Sequence, residues 1–521
     1  MRATRIGTVL SAALAVAAIA ATDAAAQDIT LTSRDGTFAL DGSLISFDGE
    51  FYRIDTVYGA LTVDGLGVTC AGPGCPDLEA YVAEINISGA ESMGEVLVPA
   101  LLEAFAAQRG LRVTREIGDS RSFSYAVSDV DGRTLARVGF DLSTTDEGFA
   151  DLFTGGADIA MATREARGTE VQIGREAGIG TLTAAAQSRI IAFDAFVAVV
   201  SPDNPVEWVA PETLAQVLSG EITDWGPLGG PAGEPIRLNG LASHLGAQQA
   251  IEALLLAPEE LTMGDAVRHN DPSDLADAVA GDPYAIGVTM KSDLGPARAV
   301  ALGGPCGFTI APEDAAVRSE DYPLVAPLFL YTPDRRLPAI ARDFLAFMSS
   351  GASTRVIGRA GFTDLGTRRI PMAEQGDRLT KAIRAAGGET PLSALQRMVT
   401  SLGTAERLSP TFRFRTGAAG LDAPSRGNAV LLAEALEAGL YDGREVIFVG
   451  FSDGEGSAEV NLRLSRNRAE TVREAVKRLA DTADFTRVRL RTEAYGEALP
   501  MACDDSEWGR RINRRVEVWL R

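Results

Sequence analysis

Asp453 and Arg468 are the residues whose types and spacing most directly suggest chemistry. Asp453 follows the apolar run Glu445–Gly450, and Arg468 lies in the long polar–apolar repeat that comes after it. A carboxylate at a strand end and a guanidinium on the next helix can face one pocket. Together they suit a ligand carrying both an ammonium and a carboxylate, although a plain salt bridge satisfies the same pair. Cys70 and Cys75 flank Ala-Gly-Pro-Gly, a turn that brings two thiols together, and in an oxidising compartment a small disulfide loop is expected. The spacing leaves two possibilities for Cys306 and Cys503, a bridge across domains or two buried thiols. No other Cys or His stands near the first pair to complete a metal shell, so no metal site and no cofactor are expected. Only His244 and His269 are present, and neither a phosphate-cradling Gly-rich loop nor a zinc-protease motif appears. Catalysis is therefore not expected.

The elements that must position these residues follow from periodicity. Glu445–Gly450 reads as a buried strand, and 451–457 as a turn rich in glycine and small polar residues. The segment through Arg468, Val472, Val476 and Leu479 reads as a helix, with Ser465 as its cap. From about residue 82 to 365, short apolar strands alternate with amphipathic helices. Glu84–Ile87, the helix through Leu97, Leu101 and Phe105, and Leu111–Thr114 predict a βαβ unit of a parallel sheet. Residues 27–81 instead show period-two alternation broken by Asp-Gly at 35–36, 41–42, 48–49 and 64–65, the signal for hairpins of a small all-β module. Residues 366–405 hold two helices, near 377–386 and 391–402, as a helical connector.

Arg2 and Arg5, the small-apolar run Val9–Ala21 and Ala24-Ala25-Ala26 have the charged, apolar, small-residue order of a secretory signal peptide over 1–26. Export to the periplasm is the expectation. The chain of 521 residues has a net charge of −22, yet 406–521 carries 19 basic and 19 acidic residues, so the acidic excess lies before it. An acidic surface disfavours nucleic acid and anionic membranes as partners.

The C-terminal motifs carry a resemblance. Gly450-x-Ser452-Asp453-x-x-Gly456-Ser457, Asn461, Leu464-Ser465 and Arg468-Ala469 are similar to the signature of OmpA-like domains. So is the later run Tyr495-Gly496-Glu497-x-x-Pro500, Gly509-Arg510 and Asn513-Arg514-Arg515-Val516-Glu517-Val518. Over 406–521 this implies an α/β sandwich that binds the diaminopimelate of the peptidoglycan stem peptide. Asp453 would hold the ammonium, Arg468 the carboxylate, and Asn461 would support the loop. Phe451 and Val460 depart from the family, where His and an aromatic are common.

Residues 82–365 resemble the substrate-binding proteins of phosphate ABC transporters. The likeness rests on Asp158–Arg164, on Phe193–Val200 with Pro202-x-Asn204-Pro205, on Leu214-x-x-Val217-Leu218-x-Gly220-x-Ile222-x-x-Trp225, on Tyr284–Gly287 and on Tyr322–Leu324. It implies a two-lobed periplasmic-binding-protein fold of type II, with an ABC permease as partner. The oxyanion would be held by Ser88, Gly89 and Ser92 at the first helix, by Ser120 and Ser122 on a second loop, and by Arg164. Two departures concern the ligand: residues 239–246 read Asn-Gly-Leu-Ala-Ser-His-Leu-Gly where the family has Arg and Ser-Gly-Thr, and Glu91 stands in the first loop. The expected molecule is a multidomain α/β protein: a solute receptor for phosphate or a related oxyanion, tethered non-covalently to peptidoglycan. The alternative is an envelope scaffold whose binding-protein fold holds no ligand.

Overall fold

The computed structural model describes residues 28–521 apart from 79, 117, 120, 386–389, 391 and 416–419. The signal-peptide reading and the Ser120 assignment lie outside the described residues. The chain divides into two compact units, Met1–Ala83 and Glu84–Arg521. No helix among the described residues is long and apolar enough to cross a membrane.

The first unit contains a five-stranded antiparallel sheet. Alternate residues Ile29, Leu31, Tyr52 and Ile54 form its small core, and the Cys70–Cys75 disulfide is present. One expected turn is absent. Asp41-Gly42 lies inside the strand Ala39–Phe47, because Gly42 faces the carbonyl of Asp55 so closely that a Cβ would stand 2.3 Å from its oxygen. The hairpin between Phe51–Thr56 and Gly59–Asp64 turns instead at Val57-Tyr58, where no Asp-Gly marks it.

In the second unit one mixed sheet of eleven strands runs through both lobes. Its spine is Ser188–Val200, thirteen residues buried for most of their length. Ser188–Ala195 pairs antiparallel with Val325–Tyr331, and Phe196–Val200 pairs antiparallel with Ala285–Met290, so one strand crosses from lobe to lobe. The predicted βαβ unit at 84–114 does not form. Ala83–Ala90 pairs in parallel with Ile159–Ala162, whereas Arg112–Glu116 joins Ser122–Ser128 and Thr134–Ser143 in an antiparallel meander. Alternation of buried and partly exposed residues along Ser122–Ser128 favours this half-solvated arrangement over a parallel, doubly covered one.

A second sheet of five strands contains Arg369–Pro371, Glu406–Phe412, Val516–Leu520, Glu445–Gly450 and Arg489–Ala494. Helices cover both faces. Leu432, Leu436, Val472 and Val476 of helices Ala423–Glu437 and Ala458–Leu479 pack on one side. Leu395, Met398 and Leu402 of helix Leu392–Leu402, together with Ala382 of helix Gly376–Ala385, pack against Ile447, Val449 and Trp519 on the other. The connector is thus a third layer of this domain. Ser465 does not cap a helix: Ala458–Leu479 is continuous from its cap Ser457, and the buried Ser465 hydroxyl accepts a bond from the Gly496 amide at 3.2 Å.

Candidate functional sites

Where the lobes meet, strand ends and helix starts converge on a cleft of about 50 Å³. One lobe supplies Glu91, Ser92 and Glu95 after strand Ala83–Ala90, Thr145 at the start of Thr145–Thr154, and Thr163 after Ile159–Ala162. The other supplies Leu245–Ala247, Asn270, Asp271 and Pro272 at two helix starts, and Asp293 after Ala285–Met290. Phe196 of the crossing strand lies at the base. The Thr145 and Thr163 hydroxyls are 3.3 Å apart, and the Thr163 amide donates to the Thr145 hydroxyl at 3.2 Å.

Four carboxyls share this cleft, and no Arg, Lys or His is among its lining residues. Burial, reinforced by Glu91, Asp271 and Asp293, pushes Glu95 up to about 7. Burial likewise raises Asp293 to about 7, helped by the neighbouring Asp194 and Asp271. Glu91 is raised by burial as well, against the opposing charges of Arg121 and His244. At neutral pH the cleft therefore holds protonated carboxyls that donate hydrogen bonds as well as carboxylates that accept them.

Of the described residues assigned to the oxyanion, Ser92 lines the cleft, and Ser88, Gly89, Ser122 and Arg164 do not. Ser88 is buried and donates to Asp151 at 2.5 Å. Gly89 is needed for close packing: its φ is +118°, and a Cβ would meet the Met161 carbonyl at 2.3 Å. Ser122 is exposed at a strand end, its amide bonded to Asp119 at 2.8 Å. Arg164 corrects the expectation most clearly. Its guanidinium donates twice to Glu170, at 2.6 and 2.8 Å, and also bonds Asp146. The Glu170 side chain is only 11% exposed, so the pair is a local structural clamp.

The second site is the loop 451–457. Asp453 is buried, and the Arg514 guanidinium donates to it at 2.8 Å. Arg468 lies over the Phe414 ring at 5.8 Å and makes no side-chain hydrogen bond among the described residues. Burial lowers its pKa against the favourable charge of Asp453. A buried carboxylate bonded to Arg514 and a guanidinium without a hydrogen-bonded partner among the described residues thus feel each other's charge. Asn461 is 1% exposed, and its Nδ2 lacks a partner beneath the Tyr495-Gly496 turn. The Gly454 amide donates to Asp504 at 2.9 Å, and Asn513 donates to the same carboxylate at 2.8 Å, so the loop is anchored from the C-terminal segment. Arg514 and Asp504 were not singled out from sequence, although Arg514 lies in the quoted motif. Phe451 is fully buried, 4.5 Å from the Arg515 guanidinium, and packs into the core.

Comparison with known proteins follows the same division. The PBP superfamily domain matches residues 76–351, and the OmpA family matches residues 413–514. The phosphate-binding protein PstS of Borreliella burgdorferi is 23% identical over 240 residues, covering 44% of this chain and 81% of that protein. Protein SphX of Synechococcus elongatus is 25% identical over 260 residues, covering 48% and 75%. The probable lipoprotein YiaD of Escherichia coli is 35% identical over 80 residues, 15% of this chain and 35% of that one.

Proposed function

Because this chain belongs to the PBP superfamily and carries an OmpA-family domain, we propose that it is a periplasmic solute receptor held non-covalently to peptidoglycan. Its cleft takes phosphate or a related oxyanion, and an ABC permease receives the solute. Asp453 binds the ammonium of a diaminopimelate stem peptide and Arg468 its carboxylate, with Asn461 supporting the loop. The observation that supports this reading is a two-lobed cleft in the same compact unit as a strand–loop–helix that carries Asp453 and Arg468. The PBP superfamily match over residues 76–351 takes in the part of the chain that forms the cleft.

The oxyanion meets the hydroxyls of Ser92, Thr145 and Thr163, and the protonated carboxyls of Glu95 and Asp293 as further donors. Both acids titrate at about 7, so phosphate affinity rises as pH falls through that value. The four-carboxyl ring favours a second reading, a cationic solute such as an amine or divalent cation, with the opposite dependence on pH. Calorimetric titration with phosphate and with calcium, at about pH 5.5 and about pH 8, separates the two by sign. Heat with phosphate, stronger at the acid pH, supports the oxyanion; heat with calcium, stronger at the alkaline pH, supports the cation. No heat from either, in folded protein, points to the scaffold alternative.

A further inference from the structure

A further cavity in the second unit lies apart from both sites. It has a volume of about 860 Å³ and opens between the first lobe and the C-terminal domain. Its walls come from the crossing strand Ser188–Val200, helix Gly351–Arg359 and the segment before it, helix Ala423–Glu437, and the end of Ala458–Leu479. The lining is mostly apolar, with Ile190, Phe193, Met348, Ile357, Leu431 and Leu479 among its residues.

Two polar groups in this wall lack partners. The Arg189 side chain lines the cavity and makes no hydrogen bond or ion pair among the described residues. Burial lowers its pKa, as expected for a guanidinium held away from water without a counter-charge. The Ser350 hydroxyl is buried and also has no partner. The other basic lining residue, Arg426, is already occupied by Glu165 at 2.6 Å and the Leu421 carbonyl at 3.0 Å. The acidic lining residue, Glu434, is exposed.

We propose that this junction cavity binds an amphiphile with one anionic head, the head meeting Arg189 and Ser350 and an acyl chain filling the apolar wall. A desolvated guanidinium without a partner is unfavourable, and a carboxylate or phosphate neutralises it through paired hydrogen bonds. A cavity of this size, apolar with a few convergent polar groups, is in the range of small-ligand sites. The chemistry is shared by free fatty acids and by phospholipid-derived amphiphiles. The proposal does not depend on the cleft's solute.

The test titrates the whole mature protein with laurate, with lauroyl lysophosphatidylglycerol and with dodecanol, below their micelle concentrations. Laurate is expected to bind at one site, Arg189→Ala to weaken it at least tenfold, Arg189→Lys to restore part of the loss, and dodecanol to bind weakly in all forms. Tighter binding of the lysophospholipid than of laurate assigns the head as phosphate, and the reverse assigns a carboxylate. Leu431→Trp, which fills the cavity, is expected to abolish binding while sedimentation with sacculi persists. It is the deciding variant if Arg189→Ala does not fold. Equal binding of dodecanol and laurate, retention of affinity in folded Arg189→Ala or Leu431→Trp, or no binding of either anion overturns the proposal.

Discussion

Asp453 is already bonded to Arg514, so a ligand ammonium must share that carboxylate, whereas Arg468 has no hydrogen-bonded partner among the described residues. Each charge-assisted contact contributes about 1.5–3 kcal/mol, so Asp453→Ala and Arg468→Ala are each expected to lower affinity for purified sacculi by about tenfold or more. Arg468→Lys should recover little, because an ammonium lacks the planar fork that matches a carboxylate. Co-sedimentation of folded variants with sacculi checks this, and wild-type affinity in either alanine variant removes the pair from the site. In the cleft, Glu95→Gln and Asp293→Asn each take away a group titrating at about 7, so each is expected to flatten the pH dependence of solute affinity around that value. Titration of each variant at acid and alkaline pH measures it. The Cys70–Cys75 bridge and the strand–turn–helix that carries Asp453 and Arg468 were legible in the sequence because each depends on local spacing. Arg514 was not, because it reaches Asp453 from a distant segment. Glu95, Asp271 and Asp293 come from three elements on two lobes, and no spacing rule joins them.

The elements were legible where periodicity was strong and local, and misplaced where pairing was remote. The connector helices were found within a residue or two, yet their burial against Ile447, Val449 and Trp519 is a tertiary fact that helical spacing alone does not contain. Strand Arg112–Glu116 was recognised as a strand but given the wrong neighbour, because β-pairing depends on partners far along the chain. The turn between helix Asp314–Arg318 and strand Val325–Tyr331 was not singled out for its charges, and it holds two carboxyls with opposite behaviour. Burial pushes Glu320 up to about 8, with Asp422 adding to the rise. Asp321 is held at about 2: burial opposes its charge, and Arg407 and Arg413 outweigh that penalty. Glu320, whose folded pKa is raised, contributes most below its unfolded value of about 4.5 and loses that contribution as pH rises toward 8. Asp321, whose folded pKa is depressed, contributes above about 3.8 and loses its part as pH falls toward 2. Glu320→Gln keeps an oxygen for the Asn428 amide, now 3.3 Å away, and is expected to reduce the fall in Tm between about pH 5 and pH 8. Melting curves across that range measure it, and an unchanged slope rules Glu320 out as a source.

At the scale of the molecule, the C-terminal domain is fastened to the two-lobed domain by a buried ionic cluster and a disulfide. Arg407 and Arg413 donate to Asp321 at 2.9 and 3.3 Å, and Arg378 and Arg515 donate to Glu517 at 2.5 and 2.8 Å. Asp321→Ala takes away the carboxylate that Arg413 and Arg407 share, leaving Arg407 only Glu517 at 3.6 Å, and is expected to destabilise the protein by about 3–5 kcal/mol. The cost is read as a lower urea midpoint at unchanged slope. Cys306 pairs with Cys503, the alternative the spacing alone had left open. It lies beside the anchored loop 451–457, since Asp504 receives the Gly454 amide. The bridge spans a sequence separation of 197, against 5 for Cys70–Cys75. On the chain-entropy account this corresponds to about 5 kcal/mol for the long loop and about 2 kcal/mol for the short one. Cys306→Ser with Cys503→Ser should therefore lower the melting temperature of the second unit well below that of the wild type. Cys70→Ser with Cys75→Ser acts on the first unit and should leave the second unit's transition in place. Calorimetric scans of both double variants, each with and without reductant, make the comparison. In the Cys306/Cys503 variant reductant should not shift the second unit's transition further, because its bridge is already gone. If reductant lowers that transition equally in wild type and variant, the long bridge does not stabilise the junction, and the ionic cluster holds the two domains together by itself.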